Sequence, residues 1–164
     1  LHASAVSVQG QAFIFLGTSG AGKTTTALSL ARAGAEFMGD DLIAISQQEG
    51  LFMAHALLFP QKVPTGRHDE KMLIDCVSEE GFPVCHAAEI TGFFSLQRNP
   101  AKPPAFEPVS RAQVLQWLLR QGNDPRLMWS PQNWFETASS LADSIPGWLW
   151  NPPLPGQIDI ESLL

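Results

Sequence analysis

The run Gly17-Thr18-Ser19-Gly20-Ala21-Gly22-Lys23-Thr24 fits the pattern G-x-x-x-x-G-K-[ST] in full. Each residue type has a reason to be there. Glycines let the backbone turn tightly, so that successive N–H groups point inward at a phosphate. A helix starting near Lys23 adds the partial positive charge of its N-terminus. Lys23 supplies a point charge for the β- and γ-phosphates, and Thr24 offers a hydroxyl to Mg²⁺. The nucleotide-contacting run extends to Thr25, with ATP and Mg²⁺ as the expected ligands. The side chains of Thr25 and Thr26 themselves read as ordinary first-turn helix residues.

Asp40-Asp41 stands 17 residues after Lys23, at the end of a short apolar stretch. Gly-Asp-Asp is good turn chemistry, and alone it would read as a solvated turn. At this distance from a phosphate loop, function is the better reading. One carboxylate would help hold Mg²⁺ and the other would take the proton of an incoming hydroxyl.

These residues need elements to carry them. Ala3 to Val8 and Ala12 to Leu16 are strand-like runs around Gln9-Gly10, a β-hairpin pattern. Pairing Val8 with Gln11 sets His2 opposite Gly17, where a histidine can touch a phosphate or tune a carboxylate. Thr24 to Ala33 reads as a helix closed by Gly34. Residues 42–45, 51–59, 71–75 and 90–96 read as strands, and 62–70 as a polar loop. Asn99 to Pro108, with four prolines, reads as a linker between layers. Ser110 with Gln113 forms a capping box for a helix ending near Gln121. Ser130-Pro131 opens a last helix, which Pro146-Gly147 stops. A short strand, Trp148 to Trp150, follows. The crowded tryptophans of this last third, Trp117, Trp129, Trp134, Trp148 and Trp150, read as core packing rather than ligand stacking. The fold class expected for these strands and helices is α/β.

Composition narrows the function. The 164 residues suit one domain, and Leu1 opens directly into strand-like residues, as the later part of a longer chain would. Ten Lys+Arg against 16 Asp+Glu give a net charge of −6, which argues against a nucleic-acid footprint. No apolar run approaches the ~20 residues of a membrane span. Cys76 and Cys85 lack metal-site spacing and read as reduced thiols of a cytoplasmic protein. His55, His68 and His86 have no partner at metal-ligand spacing and read as structural or surface residues.

Taken together, the residues resemble the catalytic domain of the HPr kinase/phosphorylase family. Leu1-His2 opens a hairpin 15 residues before Gly17, a short helix ends in Arg32-Ala33-Gly34, and Phe37-Met38-Gly39-Asp40-Asp41 follows. The match covers residues 1–46. It implies a P-loop kinase domain of the HPr kinase/phosphoenolpyruvate carboxykinase type, a mixed sheet with flanking helices. It implies that Asp40 accepts the proton of a substrate hydroxyl, that Asp41 and Thr24 stand near the metal, and that His2 is the active-site histidine. Beyond residue 46 the family's second signature, Glu-containing with closely spaced glycines, is replaced by Lys62 to Lys71. The chain is more similar there to HPr-kinase-related proteins found beside peptide-modification genes. Lys71, before a strand, matches their lysine and would neutralise transferring charge; Arg67 is the alternative. Without that second signature the reverse, phosphorolytic reaction is expected to be absent.

The expected activity is transfer of a phosphoryl group from ATP to a hydroxyl, serine of a protein or peptide. A small-metabolite kinase shares the loop spacing, but its usual arginine-rich lid is missing from a chain with six scattered arginines. A GTPase would need an Asn-Lys-x-Asp run, and a non-catalytic nucleotide-binding regulatory domain would not need the intact Asp pair. The oligomeric state, a homo-oligomer included, stays open.

Overall fold

The computed structural model describes residues 1–57, 61–64, 71–74, 81–122, 131–161 and 163, with backbone alone for 61–64, 71–74 and 131. Ser130, Arg67, His68, Cys76 and Trp129 lie outside the described residues.

Strands β1 (Ser4–Val8) and β2 (Gln11–Leu16) form the expected hairpin. Ser4 pairs with Phe15 and Val8 with Gln11, the register inferred from the Gln9-Gly10 turn. Both turn residues have positive φ, 53° and 79°, which matches the twist of a tight hairpin. Helix α1 (Lys23–Arg32) follows β2, and β3 (Glu36–Gly39) returns to the sheet. A second hairpin joins β4 (Ile43–Gln48) to β5 (Leu51–Ala56). Strands β6 (Gln61–Pro64) and β7 (Lys71–Ile74) pair with each other as a separate two-stranded sheet among the described residues. The long strand β8 (Ala87–Leu96) crosses the molecule, and β9 (Ala105–Pro108) leads to helix α2 (Arg111–Gln121). Helix α3 (Pro131–Ser144) and β10 (Gly147–Asn151) complete the fold.

The main sheet runs β3-β1-β2-β8-β10-β9, and β5 brings the second hairpin against the start of β8. β8 is parallel to both β2 and β10. β1 is antiparallel to both β2 and β3, so β3 points the same way as β2. Four strands therefore deliver their C-terminal ends to one edge: Gly39, Leu16, Leu96 and Asn151. Open α/β sheets bind ligands at this edge.

β3 lies beside β1, so one strand separates it from β2. Two expectations change. Residues 61–64 are strand, although 62–70 reads as loop from its polarity. The end of the supposed linker, Ala105–Pro108, is strand β9, antiparallel to β10. Proline is tolerated there because β9 is an edge strand with one unpaired side.

Strand alternation splits the core in two. Ala5, Ile14 and Leu16 face α2 and α3, with Leu118 and Leu141. Val6, Phe13 and Phe15 face α1, with Leu28, Leu30 and Phe37. In β8 the alternation breaks. Ala88, Ile90 and Phe93 lie on the first face, but Phe94 and Leu96 on the second. The cause is a one-residue bulge: Ala12 pairs with Ile90 and Phe13 with Gly92, leaving Thr91 unopposed. The Thr91 hydroxyl donates to the Ala12 carbonyl at 3.3 Å and holds the bulge. α2 starts at the expected capping box, with the Ser110 N–H donating to Gln113 Oε1 at 3.1 Å and the Gln113 N–H donating to Ser110 Oγ. Trp150 is 1% exposed and packs on Phe15 and Phe106, as core packing requires. No helix among the described residues is long and apolar enough to cross a membrane.

Gly92 stands at the bulge beneath Trp148. A Cβ there would lie 2.6 Å from the indole and 2.8 Å from the Phe94 ring. Gly92→Ala is expected to destabilise the fold by roughly 1–3 kcal/mol, the cost of overpacking a core, read as a lower midpoint in denaturant unfolding.

Candidate functional site

The loop between β2 and α1 curls through three glycines of positive φ: Gly17 at 146°, Gly20 at 82° and Gly22 at 97°. Gly22 is the N-cap of α1, in the left-handed conformation that side chains resist. The turn is closed from within by the Ala21 N–H donating to the Thr18 carbonyl, 3.2 Å. The Lys23 ammonium folds back over it. It donates to the carbonyls of Gly17 at 2.9 Å and Thr18 at 3.3 Å. Lys23 is only 7% exposed. Burial pushes its pKa below the ordinary lysine value, and the carboxylates of Asp40 and Asp41 pull the other way.

Asp40 follows β3 and is 3% exposed. Both carboxylate oxygens are engaged. Oδ2 accepts from the Thr24 hydroxyl at 2.7 Å, and Oδ1 accepts from the Ser4 hydroxyl. The glycine loop, the first strand and the acidic pair thus meet at one carboxylate. Asp41 differs. It is exposed, and its φ of 65° is rare for a residue with a side chain. The Leu42 N–H donates to the Asp40 carbonyl at 2.8 Å, a three-residue turn with Asp41 at its apex. Strain of this kind is held at functional sites by the structure around it.

His2 is half-buried, and its N–H donates to the Gln121 carbonyl at 3.1 Å. The Gln121 side-chain amide donates to the Gly17 carbonyl at 3.3 Å. Gly17 thereby accepts from both Lys23 and Gln121, and the C-terminus of α2 clamps the mouth of the loop. Lys71 opens β7, and its side chain lies outside the described residues. His55 bonds Ser46 at 2.7 Å away from the loop, and His86 is exposed. Cys85 is a free thiol.

Three residues at the site do not stand out in the sequence. Ser4 is fully buried, and a buried hydroxyl needs a partner; a serine within an apolar strand was the available signal. Gln121 offers no signal, because only the docking of α2 brings it to Gly17. Arg98 lies just past β8, and its guanidinium covers Gly22: a Cβ on that glycine would sit 3.1 Å from Arg98 Nε.

No protein-family model and no curated protein matches the chain. Among solved structures, the Hpr(Ser) kinase/phosphatase from Coxiella burnetii superposes with a TM-score of 0.54 at 16% identity. The match covers 99% of this chain and 83% of that one. The fold is similar to that of an HPr kinase. At this identity the likeness concerns the mixed α/β architecture, a multi-stranded sheet with flanking helices.

The buried ammonium has a measurable consequence. The folded-state pKa of Lys23 is depressed, so below that value the folded chain bears a desolvation cost that the unfolded chain does not. As pH rises from the depressed value towards the unfolded 10.5, the folded state loses its proton first and the cost disappears. The stability of wild type relative to Lys23→Met is therefore expected to increase with pH across the window that ends at the unfolded value. Denaturant unfolding of the pair at a series of pH values measures it.

Proposed function

We propose that the chain is an ATP- and Mg²⁺-dependent kinase. Its acceptor is a hydroxyl, and the fold likeness favours serine of a protein or peptide. The observation that carries this reading is the Thr24–Asp40 hydrogen bond, which joins the phosphate loop to the acidic pair. A carboxylate bonded to the loop hydroxyl is the donor pair that would hold Mg²⁺ beside a nucleoside triphosphate, and the second carboxylate, Asp41, is what transfer to a hydroxyl adds.

In this reading the loop N–H groups and the α1 N-terminus hold the phosphates. Lys23 already lies on the loop carbonyls and moves only a short way to a phosphate oxygen. The Thr24 hydroxyl and the Asp40 carboxylate are hard oxygen donors that suit Mg²⁺. Bound with ATP, that ion neutralises phosphate charge.

The family resemblance gives Asp40 the substrate proton and Asp41 the metal side. The hydrogen bonds favour the opposite division. Asp40 is buried, with each oxygen already accepting a hydroxyl proton, so it orients Thr24. Asp41 is exposed and aimed outward by its strained turn. It is the carboxylate an incoming hydroxyl can reach. Asp41 takes the proton, the hydroxyl oxygen forms the new P–O bond, and the bond to the β,γ-bridging oxygen breaks, releasing ADP. His2, near the loop mouth through Gln121, and Lys71 remain candidates to steady the transferring charge. The chain acts as one domain.

Incubation with labelled ATP, Mg²⁺ and hydroxyl-bearing peptides, followed by mass spectrometry, tests the activity. Lys23→Ala is expected to lose most ATP affinity in calorimetry; an unchanged affinity would overturn the phosphate-loop reading. Asp41→Asn is expected to bind ATP normally and to transfer roughly 10²–10⁴ times more slowly, the worth of a general base. Asp40→Asn is expected to weaken the Mg²⁺-dependent part of ATP binding. If instead Asp40→Asn binds ATP and Mg²⁺ normally and only transfer fails, the two roles stand as the resemblance has them.

The reverse reaction is expected to be absent. Inorganic phosphate beside phosphoserine places two anions at close range, which needs cationic support beyond one lysine. Phosphorylated product with excess phosphate should yield no pyrophosphate. Pyrophosphate formation abolished by Lys23→Ala would show that residues 62–72 replace the missing signature.

A further inference from the structure

The phosphate loop has two flanks at the sheet edge. On one, Asp40 and Asp41 follow β3, two strands from β2. On the other, β8 and β10 end at Leu96 and Asn151, also within two strands of β2. A nucleotide whose reacting end lies beside the acidic pair must extend its other end towards the second flank. Asp40 and Asn151 are four strand spacings apart, roughly 19 Å, which is ample for a nucleoside triphosphate along the edge.

Arg98 occupies that second flank. The bulge at Thr91 turns Leu96 towards α1, and Arg98, two residues on, covers Gly22 at the N-terminus of α1. Among the described residues no carboxylate forms an ion pair with Arg98. A groove of about 390 Å³ runs away from it, lined by Asn99, Lys102, Pro152, Pro153 and Leu154. Leu154 is 63% exposed, an apolar surface left uncovered at the groove. The groove is also built to hold shape. The Asn151 side chain accepts from the Asn99 N–H at 2.8 Å and donates to the carbonyls of Asn99, Lys102 and Pro103 at 3.2, 3.1 and 2.9 Å. One amide thus ties the loop after β8 to the end of β10.

We propose that Arg98 and this groove hold the nucleoside end of the nucleotide. The guanidinium is a planar cation suited to lie against a base, and the proline- and leucine-lined floor gives the apolar contact that a base and ribose need. Asn99 and Lys102 supply polar groups for the ribose. The proposal rests on the phosphate-loop reading above, and extends it from the triphosphate to the nucleoside.

The test compares two ligands that share the triphosphate. Calorimetry with Mg-ATP and with Mg-tripolyphosphate is run on the full chain, on Arg98→Ala and on Lys23→Ala. Arg98 is exposed, so its replacement leaves the core intact; circular dichroism checks this. Arg98→Ala is expected to weaken ATP by roughly 5- to 30-fold, the worth of one cation–base contact, and to leave tripolyphosphate within about 2-fold. An unchanged ATP affinity overturns the proposal. An equal loss for both ligands also overturns it, because Arg98 would then be a phosphate contact. Lys23→Ala is expected to weaken both ligands. If it weakens neither, the phosphate-loop reading fails, whatever Arg98 does.

Discussion

One buried carboxylate organises this end of the molecule. Asp40 is almost removed from water, and a charge in that position is costly unless hydrogen bonds replace its hydration. Thr24 and Ser4 supply those bonds. They come from helix α1 and strand β1, while Asp40 itself ends β3. Three elements must therefore arrive together for the charge to be tolerated. The same contact joins the phosphate loop to the acidic pair, so the local fold and the proposed chemistry share one interaction.

The sheet makes the arrival possible. Two strands antiparallel to β1 run parallel to each other, so β2 and β3 finish at the same edge although β1 separates them. β8 and β10 finish there as well. Helix α2 then closes the loop mouth from the opposite face of the sheet to α1, through Gln121. The likeness to an HPr(Ser) kinase/phosphatase lies in this architecture.

Two local departures from regular structure bear on the arrangement, one inside β8 and one at the sheet edge. The bulge at Thr91 reverses the faces of β8 and sends its last residues towards α1. Asp41 adopts positive φ where a glycine would be easier. The bulge decides which core Phe94 and Leu96 join, and the turn leaves Asp41 exposed beside the buried Asp40.

By itself the sequence determined the pieces that depend on near neighbours. The Gly-rich run, the turn at Gln9-Gly10 with its register, the Ser110–Gln113 box and the helix stop at Gly34 are all local, because short-range sterics and hydrogen bonds decide them. Tertiary structure decided what depends on distant partners. Ser4 meets Asp40 across 36 residues, and Gln121 meets Gly17 across 104. No periodicity records such a pairing. The proline-rich segment before α2 read as a linker, because its propensity opposes a strand; pairing with β10 overrode that at the sheet edge. The Asp pair was legible as a candidate, but which carboxylate is buried and which is exposed followed only from the packing of β3 against β1.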